Sequence, residues 1–344
     1  MGGLTGISEK MAIDLSRKFF CSLNITRHCR LFSTSNLRLT AKIIDGKQIA
    51  LDIQKELKED TDKWVAEGNK RPSLIAFLVG DDPASSTYVS NKMRAAKNIG
   101  IDSKTEKLPG TLSQDELLKI LHERNNDDSV DGIIVQLPLP KHMDERLICS
   151  KVYPDKDVDG FHVINVGHLV LGQETLAPCT PMGVLELIKR SGIETFGKNA
   201  VVCGRSKNVG LPIALMLHAD GKENAYSMDS TTTICHRYTP REQLKHFAST
   251  ADILVTATGV PNLITADMVK PGACIIDVGI TRVKDPETGK TKLVGDVDYD
   301  NVSKIAGHIT PVPGGVGPMT VTMLMKNTVL ACKYRAQRKK ENAQ

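Results

Sequence analysis

The sequence contains no apolar run of membrane-spanning length and no recognisable cysteine motif. No stretch of about 18 apolar residues is present, so we expect no transmembrane helix and no membrane partner. The eight cysteines include no C-x-x-C pair and no regular spacing with histidine. This pattern argues against a structural zinc site or a disulfide framework, and it favours reduced, mostly buried thiols.

Most of the chain also lacks a net charge. The formal charge of +5 equals the excess within positions 1–42, where seven lysines and arginines accompany two acidic residues. The remaining residues are net neutral, although a short basic tail follows Lys333. Nucleic-acid-binding domains usually carry a basic face, so we expect no nucleic-acid partner.

The basic N-terminal segment is poor in acidic residues and contains several serines and threonines. This composition is typical of a mitochondrial transit peptide, which we predict for residues 1–40. A location in the mitochondrial matrix would follow. The alternative interpretation is a disordered tail without a targeting role.

Short buried strands alternate with amphipathic helices along the rest of the 344 residues. The apolar runs in "PSLIAFLVGDD" and "VDGIIVQLPLP" flank the helical stretch "PASSTYVSNKMRAAKNIGI", and a second cycle starts at "NAVVCGRSKNVGLPIALMLHADG". This alternation predicts an α/β fold with mostly parallel sheets flanked by helices.

The stretch "GRSKNVG" is a candidate phosphate-binding turn. Gly204 follows a predicted strand and Gly210 opens a predicted helix, so backbone N–H groups at that helix end could hold a pyrophosphate. The match to G-x-G-x-x-G is incomplete because Ser206 replaces the middle glycine. A tight turn without a ligand is the alternative.

Two arginines lie where a dinucleotide-binding sheet usually has an acidic residue. The next strand ends in "CHR", with Arg237 in place of the acid that binds ribose hydroxyls. Arg205 and Arg237 together suit a phosphate, because guanidinium groups bind phosphate oxygens bidentately. The residues alone therefore favour NADP. The alternative is a pair of surface arginines that form ion pairs with nearby acids.

In "YVSNK", Tyr88 and Lys92 share one face of a predicted helix. A lysine that moves protons near neutral pH needs partial burial and a neutral hydrogen-bonding partner. Gln136 is a candidate for that partner, because it ends a predicted strand where ligands collect in parallel sheets. The alternative is a solvated lysine beside a packed tyrosine.

Two further stretches are candidates for ligand contact. "PDKDVDGFH" contains Asp157 and Asp159, and either a self-bonded turn or a carboxylate that binds an amino-pyrimidine ring fits this pattern. "TPVPGGVGPMT" combines prolines that restrict φ with glycines that expose the backbone, which predicts a rigid loop beside a flat ligand.

Several of these motifs occur together, in the order and spacing of one family. "YVSNK", "VQLPLP", "DKDVDGFH", "PCTPMGV", "GRSKNVG", "HRYT", "VGDVD" and "ITPVPGGVGPMTV" resemble the bifunctional methylenetetrahydrofolate dehydrogenase/cyclohydrolases over roughly residues 43–335. The resemblance implies oxidation of 5,10-methylenetetrahydrofolate, followed by hydrolysis of the methenyl product to 10-formyltetrahydrofolate.

The resemblance also implies domains and residue roles. Residues 41–190 would form the folate-binding catalytic domain, completed by a C-terminal helix at 317–336. Residues 191–316 would form a Rossmann-type domain, with the active-site cleft between the two, and 337–344 a basic tail. Lys92 would be catalytic, Gln136 would tune it and Tyr88 would orient the folate. The other expected substrate contacts are Val135, Leu137, Asp159, Pro313, Gly314, Gly315, Val316 and Gly317, and the expected cofactor contacts are Gly204, Arg205, Ser206, Arg237, Gly259 and Ile280.

The basic leader and "GRSKNVGLPIA" resemble the mitochondrial branch, which implies NAD, magnesium, inorganic phosphate and a homodimer. Arg205 and Arg237 would hold free phosphate where the 2′-phosphate of NADP would lie, and Asp229 would help bind the metal. NADP remains the alternative cofactor. The insertion "KENAYSMDS" leads up to Asp229 and departs from the glycine-rich pattern expected before this residue. The geometry of the metal site is therefore in question.

Two other classes remain as alternatives. The short-chain dehydrogenases also use a Tyr-x-x-x-Lys pair, but their dinucleotide turn precedes the pair, whereas Gly204 follows Tyr88 here. A folate- or nucleotide-binding protein without turnover would use the same cleft, and an assay of NAD or NADP reduction distinguishes it from an enzyme.

Overall fold

A computed structural model describes residues 40–221, 226–284, 289 and 291–341. All but the last residue of the predicted transit peptide, and part of the "KENAYSMDS" insertion, lie outside these residues. Within the described ranges, no helix is both long enough and apolar enough to cross a membrane.

The first sheet has three parallel strands in the order β3-β2-β4. Apolar runs form β2 and β4, whereas β3 is a polar edge strand. The strands are β2 (Ser73–Val79), β3 (Asp102–Leu108) and β4 (Gly132–Val135), and the helices of this part are α1 (Gly46–Ala66), α2 (Pro83–Ile99), α3 (Gln114–Asn126), α4 (Glu145–Cys149) and α5 (Val163–Val170).

The second sheet has six strands in the order β1-β11-β8-β7-β5-β6, and all of its pairs are parallel. A separate antiparallel hairpin is formed by β9 and β10. The strands are β1 (Lys42–Ile43), β5 (Asn199–Cys203), β6 (Thr231–Cys235), β7 (Ile253–Thr256), β8 (Cys274–Asp277), β9 (Thr281–Lys284), β10 (Thr291–Val294) and β11 (His308–Ile309), and the helices are α7 (Gly210–His218), α8 (Arg241–Thr250), a 3-10 turn (Ala266–Met268) and α9 (Tyr299–Val302).

Two helices join the halves of the molecule. Helix α6 (Cys179–Arg190) packs against both α7 and the long C-terminal helix α10 (Val316–Glu341), and α10 also packs on α1, α2 and the first sheet. One cluster of buried apolar side chains continues from the first sheet into the second. The predicted α/β class with two mostly parallel, helix-flanked sheets is confirmed.

The sheets do not follow the chain order in one respect. Strand β1 lies within the predicted first domain, 41–190, but pairs with β11 in the second sheet. The domain bounds remain a prediction, and the first strand links the two parts.

Helix α2 has well-defined ends, which set the positions of its side chains. The carboxylate of Asp82 accepts a hydrogen bond from the N–H of Ser85 at 2.7 Å, and Pro83 occupies the first turn. The helix stops at Gly100, which has a left-handed φ of 87°. Tyr88 and Lys92 therefore lie one turn apart on the same side of α2.

Candidate active site

Lys92 and Gln136 meet at the carboxyl end of β4. Nζ of Lys92 donates to Oε1 of Gln136 at 3.1 Å, and Nε2 of Gln136 donates to the carbonyl of Leu137 at 2.7 Å. This second bond fixes the orientation of the amide, so that the oxygen faces the lysine. Lys92 is half-buried and has a neutral partner, whereas the Tyr88 side chain is 50% exposed and free to contact a ligand.

The two aspartates of the "DVDG" turn have different surroundings. Oδ2 of Asp157 accepts hydrogen bonds from the N–H of His162 at 2.7 Å and from Nδ2 of Asn165 at 3.1 Å. Burial raises the pKa of Asp157 to about 7, and the second carboxylate, Asp159, adds to the shift. Asp157 thus holds the turn together.

Asp159 is the carboxylate that this turn presents to the cleft. It is half-buried and accepts no hydrogen bond from the residues that the structure describes. Burial raises the pKa of Asp159, and the positive charge of Lys92 acts in the opposite direction. The charge of Lys92 thus acts on Asp159, although the structure records no ion pair or hydrogen bond between the two among its described residues.

Asn327 of α10 supports this turn from below. Its buried side-chain amide donates to the carbonyls of Val158 at 2.9 Å and Ala177 at 2.8 Å. The thiol of Cys179 donates to the same Val158 carbonyl at 3.2 Å. The sequence does not predict this contact of Asn327, because an asparagine in the middle of a long helix carries no local signal for a partner 169 residues away.

The loop "TPVPGGVGPMT" packs tightly against the start of α1. Gly314 has φ of 113°, and a Cβ on Gly315 would lie 2.8 Å from both the Pro311 carbonyl and Thr310. A Cβ on Gly46 would overlap the Gly315 carbonyl. Only glycines fit these positions, which explains the rigid backbone that the sequence predicts.

This loop also approaches the second sheet. Pro313 is exposed, Val316 begins α10, and a Cβ on Gly317 would lie 3.9 Å from Cδ1 of Ile280. Ile280 is 47% exposed and follows β8. The 313–317 loop and Ile280, one of the predicted cofactor contacts, are thus neighbours in the structure.

The turn after β5 has the local features of a dinucleotide-binding turn. A Cβ on Gly204 would overlap the carbonyl of Ala257, and Gly204 has φ of 128°. Oγ of Ser206 accepts a hydrogen bond from the N–H of Gly210, the first residue of α7, at 3.2 Å. Because strands β5, β6 and β7 all end here, a ligand can approach the backbone at this edge of the sheet.

Arg205 and Arg237 lie at this edge and are exposed. The guanidinium carbon of Arg205 lies 5.7 Å from the ring centre of Tyr238. Neither arginine has a carboxylate within 4.0 Å among the residues that the structure covers. The ion-pair alternative thus finds no acidic partner within the described ranges, and the phosphate-binding role of the two arginines stays a prediction.

Gly259 is held by a buried carboxylate that the sequence analysis did not assign. Oδ2 of Asp296 accepts three hydrogen bonds. The donors are the N–H of Thr258 at 2.6 Å, the hydroxyl of Thr258 at 2.9 Å and the N–H of Gly259 at 3.3 Å. Asp277 lies next to it, and burial raises the pKa of Asp277 to about 6. The sequence shows the motif "VGDVD", which contains Asp296. It does not predict the contacts of Asp296 with Thr258 and Gly259, because these residues follow a strand that is distant in sequence.

Asp229 lies at the other end of β6 from the two arginines. Its carbonyl accepts from the N–H of Gly197, which precedes β5, at 2.9 Å, whereas Arg237 follows the carboxyl end of β6. With a rise of about 3.3 Å per residue, the five residues of β6 span about 13 Å. Asp229 and Arg237 lie beyond opposite ends of this strand.

Among the described residues, no metal-ligand cluster accompanies Asp229. Oγ of Ser227 donates to its Oδ2 at 3.2 Å, and residues 222–225 of the insertion are not described. No group of three or more His, Cys, Asp or Glu side chains suited to a metal occurs within the described ranges.

Comparison with known families gives two matches that together cover most of the chain. Residues 44–159 match the catalytic domain of tetrahydrofolate dehydrogenase/cyclohydrolase, and residues 178–336 match the NAD(P)-binding domain of the same family. The border between the two matches falls before α6, close to the junction of the two sheets.

Individual relatives agree with these matches. The bifunctional methylenetetrahydrofolate dehydrogenase/cyclohydrolase, mitochondrial, of Gallus gallus is 59% identical over 296 residues, which is 86% of this chain and 88% of the relative. The 5,10-methylenetetrahydrofolate dehydrogenase of Bombyx mori superposes with a TM-score of 0.81 at 54% identity, covering 86% of this chain and 99% of that one. The Trypanosoma brucei enzyme, solved with NADP and an inhibitor, gives a TM-score of 0.79 at 40% identity, covering 86% and 98%.

Proposed function

The chain belongs to the tetrahydrofolate dehydrogenase/cyclohydrolase family and is a bifunctional enzyme of this kind, for which we propose the residue roles, cofactor preference and location that follow. Its reactions are oxidation of 5,10-methylenetetrahydrofolate to the methenyl form and hydrolysis of that product to 10-formyltetrahydrofolate, in one-carbon metabolism.

The hydrogen bond between Nζ of Lys92 and Oε1 of Gln136 is the observation that carries the proposed hydrolytic role. A neutral amide partner leaves the amine able to take up and release a proton, which a carboxylate partner would oppose. We assign to Lys92 the protons that move when water attacks the methenyl carbon, a C–N bond breaks and the released nitrogen is protonated.

Asp159 and Tyr88 would hold the folate in position for both steps. The carboxylate of Asp159 has no protein donor among the described residues, so it can accept two hydrogen bonds from the amino-pyrimidine part of the pterin. The exposed ring of Tyr88 offers a flat surface for stacking. Val135, Leu137 and the 313–317 loop would line the remaining cleft.

The Gly204 turn and the Gly259 loop fit a dinucleotide. The supporting observation is that Gly204 packs closely against the backbone of Ala257, where a Cβ would overlap it. This contact lies at the carboxyl edge of a parallel sheet. When bound, the nicotinamide supplies the acceptor for the hydride of the folate methylene carbon. Ser206 would bind the pyrophosphate region, and Ile280 would separate the two rings from solvent.

We propose NAD as the preferred dinucleotide, with inorganic phosphate held by Arg205 and Arg237. The support is that both arginines are exposed and lack a carboxylate partner among the described residues, while similar relatives, such as the Gallus gallus protein, carry mitochondrial names. In the NADP alternative, the 2′-phosphate fills the same place. We also propose a requirement for Mg²⁺, which phosphate oxygens can bind, and a location in the mitochondrial matrix.

Replacement of Lys92 by methionine tests the hydrolytic role. The Lys92→Met variant should lose formation of 10-formyltetrahydrofolate by about 100-fold or more, because general acid–base catalysis is removed. Binding of folate, measured by calorimetry, should survive. Lys97→Met on the exposed face of the same helix is the matched control. Unchanged product formation in Lys92→Met would refute the assignment.

A second assay tests the cofactor proposal. Initial rates are measured with NAD and with NADP, each with and without phosphate and magnesium. We expect NAD turnover to rise only when both ions are present, whereas NADP turnover should not respond to phosphate. Equal rates with NADP under all conditions would favour the alternative cofactor.

A further inference from the structure

The carboxyl ends of β5 and β6 each carry a cysteine. Cys203 ends β5 and Cys235 ends β6, and the parallel register of the two strands pairs these residues directly. Both side chains belong to the same buried cluster, on the face of the sheet that α8 covers. Among the described strands, this is the only position at which the register sets two cysteines side by side.

The separation expected for two paired residues on neighbouring strands fits a disulfide. Adjacent strands lie about 4.8 Å apart, and a disulfide joins Cα atoms that are about 4.4–6.8 Å apart. Its Cβ atoms approach to about 3.8 Å, which is somewhat closer than the usual spacing of side chains on neighbouring strands. The bond can therefore form once the two strand ends move together by about 1 Å.

The two thiols already interact in the reduced state. Both are free cysteines in the structure. A hydrogen bond between their side chains lowers the pKa of Cys235 and raises the pKa of Cys203, and burial raises the pKa of Cys203 further. The thiolate is the reactive form of cysteine. Cys235 is therefore the expected nucleophile, and Cys203 is the thiol that completes the bond.

Access to Cys235 depends on the end of its strand. The residue is only 2% exposed, but it ends β6, which pairs with β5 alone among the described strands. The end of an edge strand opens locally at a lower cost than a central strand, and hydrogen peroxide is nearly as small as water. Cys274 provides the contrast, because it lies on β8 between β7 and β11. We therefore expect peroxide to reach Cys235 before Cys274.

The cysteine pair lies directly beneath the proposed dinucleotide turn. Gly204 follows Cys203, and its N–H donates to the carbonyl of Cys235 at 2.8 Å. The carbonyl of Cys203 accepts from the N–H of Ala257 at 2.7 Å, and Gly204 packs against the backbone of the same residue. Because this packing leaves no free space, movement of the two strand ends also displaces the turn.

We propose that Cys203 and Cys235 form a reversible disulfide site, which hydrogen peroxide closes and a dithiol reductant opens, and that the closed form binds the dinucleotide more weakly. Each cysteine lies two residues before an arginine of the proposed anion site, Arg205 or Arg237, so closure also moves these side chains. The change in affinity rests on the proposed function of this turn, whereas formation of the bond does not.

The reaction consumes one peroxide and releases two waters. The thiolate of Cys235 attacks one peroxide oxygen, the O–O bond breaks, and the departing hydroxide takes up a proton to become the first water. Cys235 is then a sulfenic acid. The sulfur of Cys203 attacks the sulfur of Cys235, the S–O bond breaks, and the hydroxide leaves as the second water with the thiol proton of Cys203. The two sulfurs together lose two electrons, which reduce the peroxide.

Peptide mass spectrometry tests formation of the bond. The purified full chain is treated with hydrogen peroxide, its remaining thiols are alkylated after denaturation, and the chain is digested. We expect peptides joined through residues 203 and 235, which dithiothreitol separates. Cys203→Ala and Cys235→Ala should each abolish this product, whereas Cys274→Ala, at a buried cysteine of the same sheet, should retain it. Recovery of Cys203 and Cys235 as alkylated thiols, or as separate sulfinic acids, would overturn the proposal.

Initial rates test the effect of the bond on dinucleotide binding. Peroxide-treated protein should show a KM for NAD about tenfold higher than reduced protein, with kcat and the KM for folate nearly unchanged, because only the dinucleotide turn is displaced. Dithiothreitol should restore the KM, and Cys235→Ala should not respond to peroxide. An unchanged KM in the cross-linked protein would overturn the effect on binding.

The two experiments separate this proposal from the proposed function. The mass measurement needs no turnover, so an inactive protein still reports whether the bond forms. If the reduced enzyme uses NADP in place of NAD, the same comparison of KM values is made with NADP. Failure of the proposed cofactor preference is thus distinguishable from failure of the disulfide site.

Discussion

The two sides of the cleft differ in how far the protein satisfies its own polar groups. On the proposed folate side, Nζ of Lys92 donates to Gln136, and Oδ2 of Asp157 accepts two hydrogen bonds within its turn. On the dinucleotide side, Arg205 and Arg237 are exposed and, among the described residues, have no carboxylate nearby.

This difference corresponds to two proposed tasks, which are proton transfer to the substrate on one side and binding of an anion on the other. Proton transfer requires groups that are held at hydrogen-bond distance before the substrate arrives, and the contacts around Lys92 provide this. An anion site requires charge that the protein has not already neutralised. The same chain thus leaves Asp159 without a hydrogen-bond donor, and Arg205 and Arg237 without a carboxylate partner, among its described residues.

The largest expected effect comes from giving Lys92 a charged partner. Gln136→Glu keeps the shape of the side chain but places a carboxylate about 3 Å from the ammonium, which favours the charged lysine. Cyclohydrolase activity should fall by about 100-fold, measured as hydrolysis of methenyltetrahydrofolate. Gln173→Glu, at an exposed position, should have no effect. Normal hydrolysis in Gln136→Glu would show that the neutral partner is not required.

A smaller effect should distinguish the two aspartates of the turn. Asp159→Asn replaces a charged acceptor, and folate affinity should fall by about tenfold to 100-fold, as expected for loss of a charge-assisted hydrogen bond. Asp157→Asn preserves a side-chain oxygen for His162 and Asn165, so affinity should change little. Calorimetric titration with folate compares them. The opposite ranking would exchange the roles of the two residues.

A still smaller change is expected at the anion site. Arg237→Ala should lower NAD turnover by about tenfold and abolish its response to added phosphate, since one of two guanidinium groups is lost. Arg241→Ala, at the exposed start of α8, is the control. Initial rates over a phosphate titration provide the measurement. A phosphate response that persists in Arg237→Ala would exclude Arg237 from the site.

The smallest expected effect is on the pH dependence of the free energy of unfolding. The folded pKa of Asp157, about 7, lies above its unfolded value of 3.8. Its contribution to folding is therefore complete below the unfolded pKa and is lost as pH rises through about 7. Asp157→Asn should flatten the free energy of unfolding between pH 4 and 7, measured by urea denaturation. A wild-type curve without this decline would contradict the effect of burial on Asp157.

Local patterns predicted the elements and several contacts of the site. The four-residue spacing of Tyr88 and Lys92 on α2, and the position of Gln136 after β4, depend only on near neighbours in sequence. The Lys92 to Gln136 hydrogen bond agrees with that interpretation. The functional roles of these residues remain predictions for the variants above.

Contacts between distant segments could not be predicted in the same way. The occupation of Asp157, the support from Asn327 and the placement of Asp296 under Gly259 all join residues that approach only when the strands assemble. Asp229 and Arg237 show the converse. They are only eight positions apart in the sequence, but strand β6 lies between them and holds them beyond its opposite ends.

The sequence by itself determined the α/β alternation, the family and the spacing of side chains within single elements, because hydrophobic period and turn chemistry act over a few residues. Only the tertiary structure decided which aspartate lacks a hydrogen-bond donor, which arginines lack a carboxylate partner among the described residues, and which strand forms the open edge. These properties depend on burial and on strand order, which arise from contacts between residues far apart in the chain.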